Sequence, residues 1–256
     1  MNLSKCRASA SHRSRHVVFT LLFAALWLPF PASAQTTEME HELGMMTWGR
    51  TLYVLFDVLE YSPSLPGRLA RAEMLSWYGG SRERVWLLAD AHQNTKGNRD
   101  GEAEFQLLYG RLVDPFWDAV AGIRADRDWS GDGRERAFLV FGLIGLAPYR
   151  FEVQPALFIS SKGEVSARVE ASYQILVTQR LVAEPEIELN AALQKVPEAE
   201  LRQGLNNYDL QLRVRYEFRR EFAPYIGWSR IRTFGDGSSG SAETRTRFVV
   251  GLRLWR

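Results

Sequence analysis

The stretch VSARVEASYQILVT, residues 165–178, alternates apolar and polar side chains along its length. Val165, Ala167, Val169, Ala171, Tyr173, Ile175 and Val177 share one phase, while Ser166, Arg168, Glu170, Ser172, Gln174 and Thr178 share the other. Successive side chains of a strand point to opposite faces, so the segment has one apolar wall and one charged wall. It also exceeds the length of an ordinary globular strand. A soluble sandwich would bury the apolar wall against a second sheet. A membrane barrel turns that wall to lipid and keeps the charged one in its lumen.

Working outward, the same period predicts twelve strands, over 50–60, 69–77, 84–94, 102–111, 116–126, 136–146, 150–160, 165–178, 181–193, 206–218, 223–233 and 244–255. The connections alternate in kind. YGGSRE, LVDPF, LAPYR, TQRL and RREFAP are short, whereas YSPSLPGRL, QNTKGNRDGE, DWSGDGRE, SSKGE, LQKVPEAELRQGL and TFGDGSSGSAE are mostly longer and more polar. Short periplasmic turns and longer outer loops are the habit of outer-membrane barrels, and an even strand count returns both ends to the periplasm. The most apolar mature stretch, AFLVFGLIGLAPY, holds two glycines and a proline and suits a strand better than a membrane helix. Without spanning helices, only a closed barrel satisfies backbone groups in lipid. The expected fold is therefore all-β, an antiparallel transmembrane β-barrel of about 12 strands. Aromatic residues near the proposed strand ends, among them Trp77, Tyr78, Trp86, Tyr109, Phe116, Tyr149, Phe222, Tyr225 and Trp255, are expected in interfacial girdles.

The N-terminus agrees with export. Residues 1–16 carry Lys5, Arg7, Arg13 and Arg15 and no acid, an apolar run follows from Val17 to Leu28, and Pro31-Ala32-Ser33-Ala34 offers an A-x-A cleavage site. This pattern predicts a signal peptide over 1–34. Three regions follow: the signal peptide, a flexible Met- and His-containing periplasmic tail over 35–49, and an outer-membrane barrel over 50–256. Cys6 lies within the signal, so the mature chain has no cysteine for disulfides or thiolate ligands. Removing the four basic residues of the signal leaves 28 basic against 30 acidic residues, a net charge of −2, which gives no support to nucleic-acid binding.

The inward phase is rich in charge: Asp90, His92, Glu102, Glu104, Arg124, Arg168, Glu170, Glu184, Glu186, Glu188, Asp209, Arg213, Arg215, Arg247 and Arg253. Two readings are open. Acids and arginines on different strands would pair across a narrow lumen and fill it. Alternatively, Glu184, Glu186 and Glu188 would form a cation site on one face. Enzyme motifs are missing: there is no G-x-S-x-G, no H-E-x-x-H and no Walker glycine loop, and the mature chain has only His41 and His92 as histidine bases. No enzymatic activity is expected. The start of the mature chain, QTTEMEHELGMMTWGR, gathers Met39, His41, Met45 and Met46. Thioether and imidazole donors suit copper. Taken alone, chance clustering is the commoner origin of four such residues without fixed spacing; a copper-binding tail is the alternative.

Several phrases together resemble the copper resistance protein B family, outer-membrane barrels of Gram-negative copper-resistance systems. They are WYGG (77–80), AEFQLLYGRLVDPFWDAVAGIR (103–124), GLAPYRFEV (145–153), ARVEASYQILVTQRLVAEPEIELN (167–190) and LRVRYEFRREFAPYIG (212–227). The resemblance spans roughly residues 69–256. It implies location in the outer membrane with lipid around the barrel, copper ions as the bound species, periplasmic copper-resistance proteins as partners, and a part in copper homeostasis by binding copper or removing it from the periplasm. The alternative is a passive or small-solute barrel that has lost copper binding. Two features depart from the family. The usual long Met- and His-rich segment is reduced here to Met39, His41, Met45 and Met46, and the last strand, RFVVGLRLWR, ends on Arg256 where an aromatic residue is expected.

Overall fold

The computed structural model describes residues 50–63, 68–97, 100–130, 133–196, 201–234 and 242–256. They form thirteen strand segments: β1 (Thr51–Ser62), β2 (Leu69–Gly79), β3 (Glu83–Asn94), β4 (Gly101–Asp114), β5 (Trp117–Asp128), β6 (Arg134–Ala147), β7 (Phe151–Ser160), β8 (Val165–Ser172), β9 (Ile175–Leu176), β10 (Leu181–Ala192), β11 (Gly204–Tyr216), β12 (Phe222–Thr233) and β13 (Glu243–Trp255). Every neighbouring pair is antiparallel, β1 pairs with β13, and β10 joins β8 to β11, so the sheet closes. Segments β8 and β9 occupy one place in the wall, which makes a closed barrel of twelve strands.

The split between β8 and β9 has a local cause. Ser172 faces Glu186 and Ile175 faces Ala183, so the register continues unbroken. Between them the Tyr173 N–H donates to the Pro185 carbonyl at 3.1 Å. Proline has no N–H to return the bond, and the ladder lapses for two residues.

The short connections, 80–82, 115–116, 148–150, 177–180 and 217–221, all lie at the end that holds residues 50 and 256. Those at the other end are mostly longer. The loop rule for outer-membrane barrels assigns the first end to the periplasm. Among the described residues no helix is long and apolar enough to cross a membrane.

Apolar side chains of one phase remain exposed on the outside. Phe105, Leu107, Ile123, Leu139, Leu157, Ile226, Phe248 and Val250 are examples. At the short-turn end Tyr78, Tyr109, Phe116, Tyr149, Phe151, Tyr216, Phe218 and Phe222 are exposed and form a belt. Three aromatics expected in a girdle point into the lumen instead. Trp86 and Tyr225 are buried, and Trp77 packs against Trp86 with ring centroids 6.3 Å apart. Their residue parity matches the inward phase of their strands, and parity overrides position along the strand.

The interior is close-packed on one side. Trp86, Leu108, Val120, Phe138, Val140 and Phe158 form a buried apolar cluster from β3 to β7, flanked by Trp77, Leu88 and Ile144. Gly110 permits it: a Cβ there would stand 2.6 Å from Trp86 Nε1. Only a residue without a side chain lets the indole come this close to β4. A cavity of about 40 Å³ remains beside Leu88, Leu108, Val140, Ile144, Phe158 and Arg168, enough for little more than water.

Candidate functional site

The remaining inward wall, chiefly β8, β10, β11, β13, β1 and β2, is charged. Its centre is Arg213 of β11, whose guanidinium donates to Glu186 at 2.5 Å, to Glu60 at 2.9 Å and to Gln211 at 2.5 Å. The Tyr225 hydroxyl also donates to Glu60, at 3.2 Å. One layer nearer the short turns, Arg215 pairs with Glu184 and donates to Gln174 at 2.9 Å. One layer nearer the long loops, Arg168 donates to both oxygens of Glu104 at 3.1 and 3.0 Å and to Asn190 at 3.0 Å, with Glu188 at 3.6 Å. Arg124 shares Glu104 at 2.8 Å and holds Asp126 at 2.6 Å.

Around the rest of the lumen Arg71 bridges Glu73 and Asp90, Arg253 meets Asp57 at 2.6 Å, and Arg84 meets Asp118 at 2.7 Å. Ser229 donates to Asp209 at 2.9 Å, with Arg247 at 3.6 Å from the same carboxylate. Arg124 also covers the Phe158 ring at 4.6 Å and the Phe138 ring at 5.1 Å, which joins the charged network to the apolar cluster. An ion buried in a low-dielectric interior is costly unless paired and hydrogen-bonded, and this network supplies both.

Of the two readings of Glu184, Glu186 and Glu188, the structure favours pairing, since each carboxylate meets an arginine. Several partners went unread in the sequence, four of them on β1 and β2. Arg71 and Glu73 sit in plain alternation on β2. Asp57 and Glu60 are hidden by a bulge between Phe56 and Val58, which shifts the inward phase of β1 from odd to even numbers.

Copper donors are scarce on this wall. His92 stands on the inner face near the long-loop end, 3.7 Å from Glu102. Met74 takes the outward phase of β2, shared with the exposed Tyr78. Among the described residues no three His, Cys, Asp or Glu side chains are grouped to hold a metal ion. A wall with one imidazole, no thiol and no inward thioether does not fit the soft donor set that copper prefers. Met39, His41, Met45 and Met46 lie outside the described residues.

Comparison with known proteins decides the family. The family model "Copper resistance protein B precursor" matches residues 50–256, which is the whole barrel. The chain belongs to the copper resistance protein B family. Copper resistance protein B of Escherichia coli is 36% identical over 207 residues, covering 79% of this chain and 68% of that protein. A copper resistance protein B homolog of Pseudomonas syringae pv. tomato is 35% identical over 208 residues, covering 79% and 69%. The NanC porin resembles the fold with a TM-score of 0.50 at 11% identity, over 80% of this chain and 99% of that one. This copper resistance B barrel is thus an outer-membrane protein, with its apolar face in lipid and its charge inside. The family ending also finds a local solution here. Arg256 exchanges two backbone hydrogen bonds of 2.9 Å with Val54, so the final residue is tied into the seam, and the Trp255 indole donates to the Arg220 carbonyl.

Proposed function

We propose that this barrel serves copper resistance by holding a copper-binding tail at the periplasmic mouth of an outer-membrane anchor. In this reading residues 1–34 are removed as a signal peptide and residues 35–49 remain as the tail. Met39, His41, Met45 and Met46 bind copper, at most one ion per chain, and the bound copper is thereby withdrawn from the periplasm. The observation that carries the reading is the state of the luminal wall in a family named for copper resistance. Among the described residues most of its carboxylates are engaged by arginines and its one imidazole stands beside Glu102, so copper donors are sought outside the barrel. A tail must lose conformational freedom as it wraps an ion, about 1–2 kcal/mol per ordered residue, which holds affinity below that of a rigid site. Periplasmic copper-resistance proteins are the natural sources or recipients of the ion.

Copper titration of the mature protein, with and without residues 35–47, tests this. Binding that disappears with the tail, or with alanine at the four donor positions, is the expected result. Binding unchanged by the deletion would move the site to the barrel. No binding by either form would assign a passive barrel.

A further inference from the structure

The outward phase of β12 reads Phe222, Pro224, Ile226, Trp228, Arg230 and Arg232. Phe222 and Ile226 are exposed apolar residues suited to lipid, but Arg230 and Arg232 are exposed on the same face. Strands rise about 3.3 Å per residue and tilt roughly 40° in such barrels, so the path from Phe222 to Arg232 climbs about 25 Å, the height of the apolar band. With Phe222 at the short-turn interface, Arg232 emerges at the opposite one, where headgroups begin, and Arg230 starts about 5 Å below it, a distance its long side chain spans.

Among the described residues their surroundings hold no counter-charge. Arg230 lies between Leu210 and Thr246, and Arg232 between Tyr208 and Thr244, on the flanking strands. Among the described residues neither arginine meets a carboxylate. The outward Arg127 of β5, at the same end, differs in having Glu135 at 3.6 Å. Arg232 is also held in place. It lies over the Phe234 ring at 5.3 Å, Arg202 covers that ring at 5.2 Å, and Tyr208 packs against it at 6.0 Å. The result is a pair of guanidinium groups, one of them anchored, with the hydroxyl-bearing Tyr208, Thr244 and Thr246 as cross-strand neighbours. Guanidinium matches phosphate with paired charge-assisted hydrogen bonds, and neutral hydroxyls complete such a shell.

We propose that Arg230 and Arg232 bind the phosphate of an anionic lipid in the leaflet at the long-loop end. The proposal is independent of copper. It explains why two cations that meet no carboxylate among the described residues occupy the lipid-facing side of a strand, where such a partner would be the ordinary solution.

The test uses the mature protein in a neutral detergent, titrated with diphosphorylated lipid A and with its dephosphorylated form. Retained lipid is counted by native mass spectrometry, and folding is checked by the gel shift on heating. The wild type should retain the phosphorylated lipid in preference. The double substitution Arg230→Gln and Arg232→Gln should weaken retention by roughly tenfold or more, as loss of charge-assisted bonds predicts. Arg127→Gln should leave it unchanged. If the double variant does not fold, Arg230→Gln alone carries the test, since Arg230 has no side-chain partner to lose. Equal retention by wild type and variant, equal retention of the dephosphorylated lipid, or displacement by inorganic phosphate at matching concentrations would each overturn the proposal.

Discussion

Replacing Arg213 by alanine should be among the most damaging single changes in the lumen. Its side chain is 6% exposed and that of Glu60 is 8% exposed, so this pair is buried from bulk water. Glu186 is 18% exposed on the other side of the same guanidinium. Removing the arginine strands two carboxylates at once. Breaking one buried pair costs about 3–5 kcal/mol, because the surviving charge has no compensation. The Tyr225 hydroxyl still donates to Glu60 and softens one of the two losses. A cost of at least about 4 kcal/mol is therefore expected, on the order of a thousandfold or more in the folded-to-unfolded ratio. Urea unfolding in detergent micelles, followed by tryptophan fluorescence and by gel shift, measures it.

Two companion variants locate the cause. Glu186→Ala leaves Arg213 with Glu60 and should cost less, with copper tolerance of the cells unchanged. The triple variant Arg213→Met, Glu60→Leu, Glu186→Leu removes every charge of the cluster and should recover most of the stability, since apolar replacements of whole buried ion pairs are often neutral or better. An Arg213→Ala protein within about 0.5 kcal/mol of wild type would refute the reasoning, because surface-like changes fall in that range. Lost copper tolerance with normal stability in Glu186→Ala would mark a functional cation site instead.

Three other outcomes follow from the fold. Protease added to intact cells should cut in 194–205 or 234–243 and spare the turns near Pro115, Pro148 and Pro224; cleavage at those turns would reverse the orientation. Gly110→Ala should destabilise the barrel by about 1–3 kcal/mol, as overpacking does, because the added methyl meets the Trp86 indole; an unchanged unfolding midpoint would count against the packing described. Pro185→Ala should restore an N–H facing the Tyr173 carbonyl, slow amide exchange across 172–176 and add up to about 1 kcal/mol, the net worth of one hydrogen bond; exchange as fast as in wild type would show that the interruption has another origin.

The wall of this barrel was legible because one alternating signal specifies both the strand and the face it shows to lipid. The stretch 181–193 became Leu181–Ala192, and 84–94 became Glu83–Asn94. The expected strand over 165–178 is interrupted at Tyr173, an effect of Pro185 on the neighbouring strand. Such an effect is invisible from the interrupted segment alone. The bulge in β1 shows the same limit from another side. Alternation reads faces only while the register holds, and an extra residue at Asp57 turns Glu60 inward against the count.

The lumen was half legible for a further reason. Parity states which side chains face in, but not which of them meet. Arg213 finds Glu60 across 153 residues of sequence and Arg168 finds Glu104 across 64. Those meetings depend on the tilt and stagger with which twelve strands close, which belong to the barrel as a whole. The same closure brings Trp77, Trp86 and Phe138 into one apolar wall opposite the charges, although their strands also carry Arg84, Asp90 and Arg136. An interior filled in this way has spent most of its carboxylates on arginine. Copper binding at the luminal wall would have to break existing ion pairs, whereas Met39, His41, Met45 and Met46 could bind without dismantling any of them. That difference in cost is the physical reason for proposing the tail rather than the lumen as the copper site.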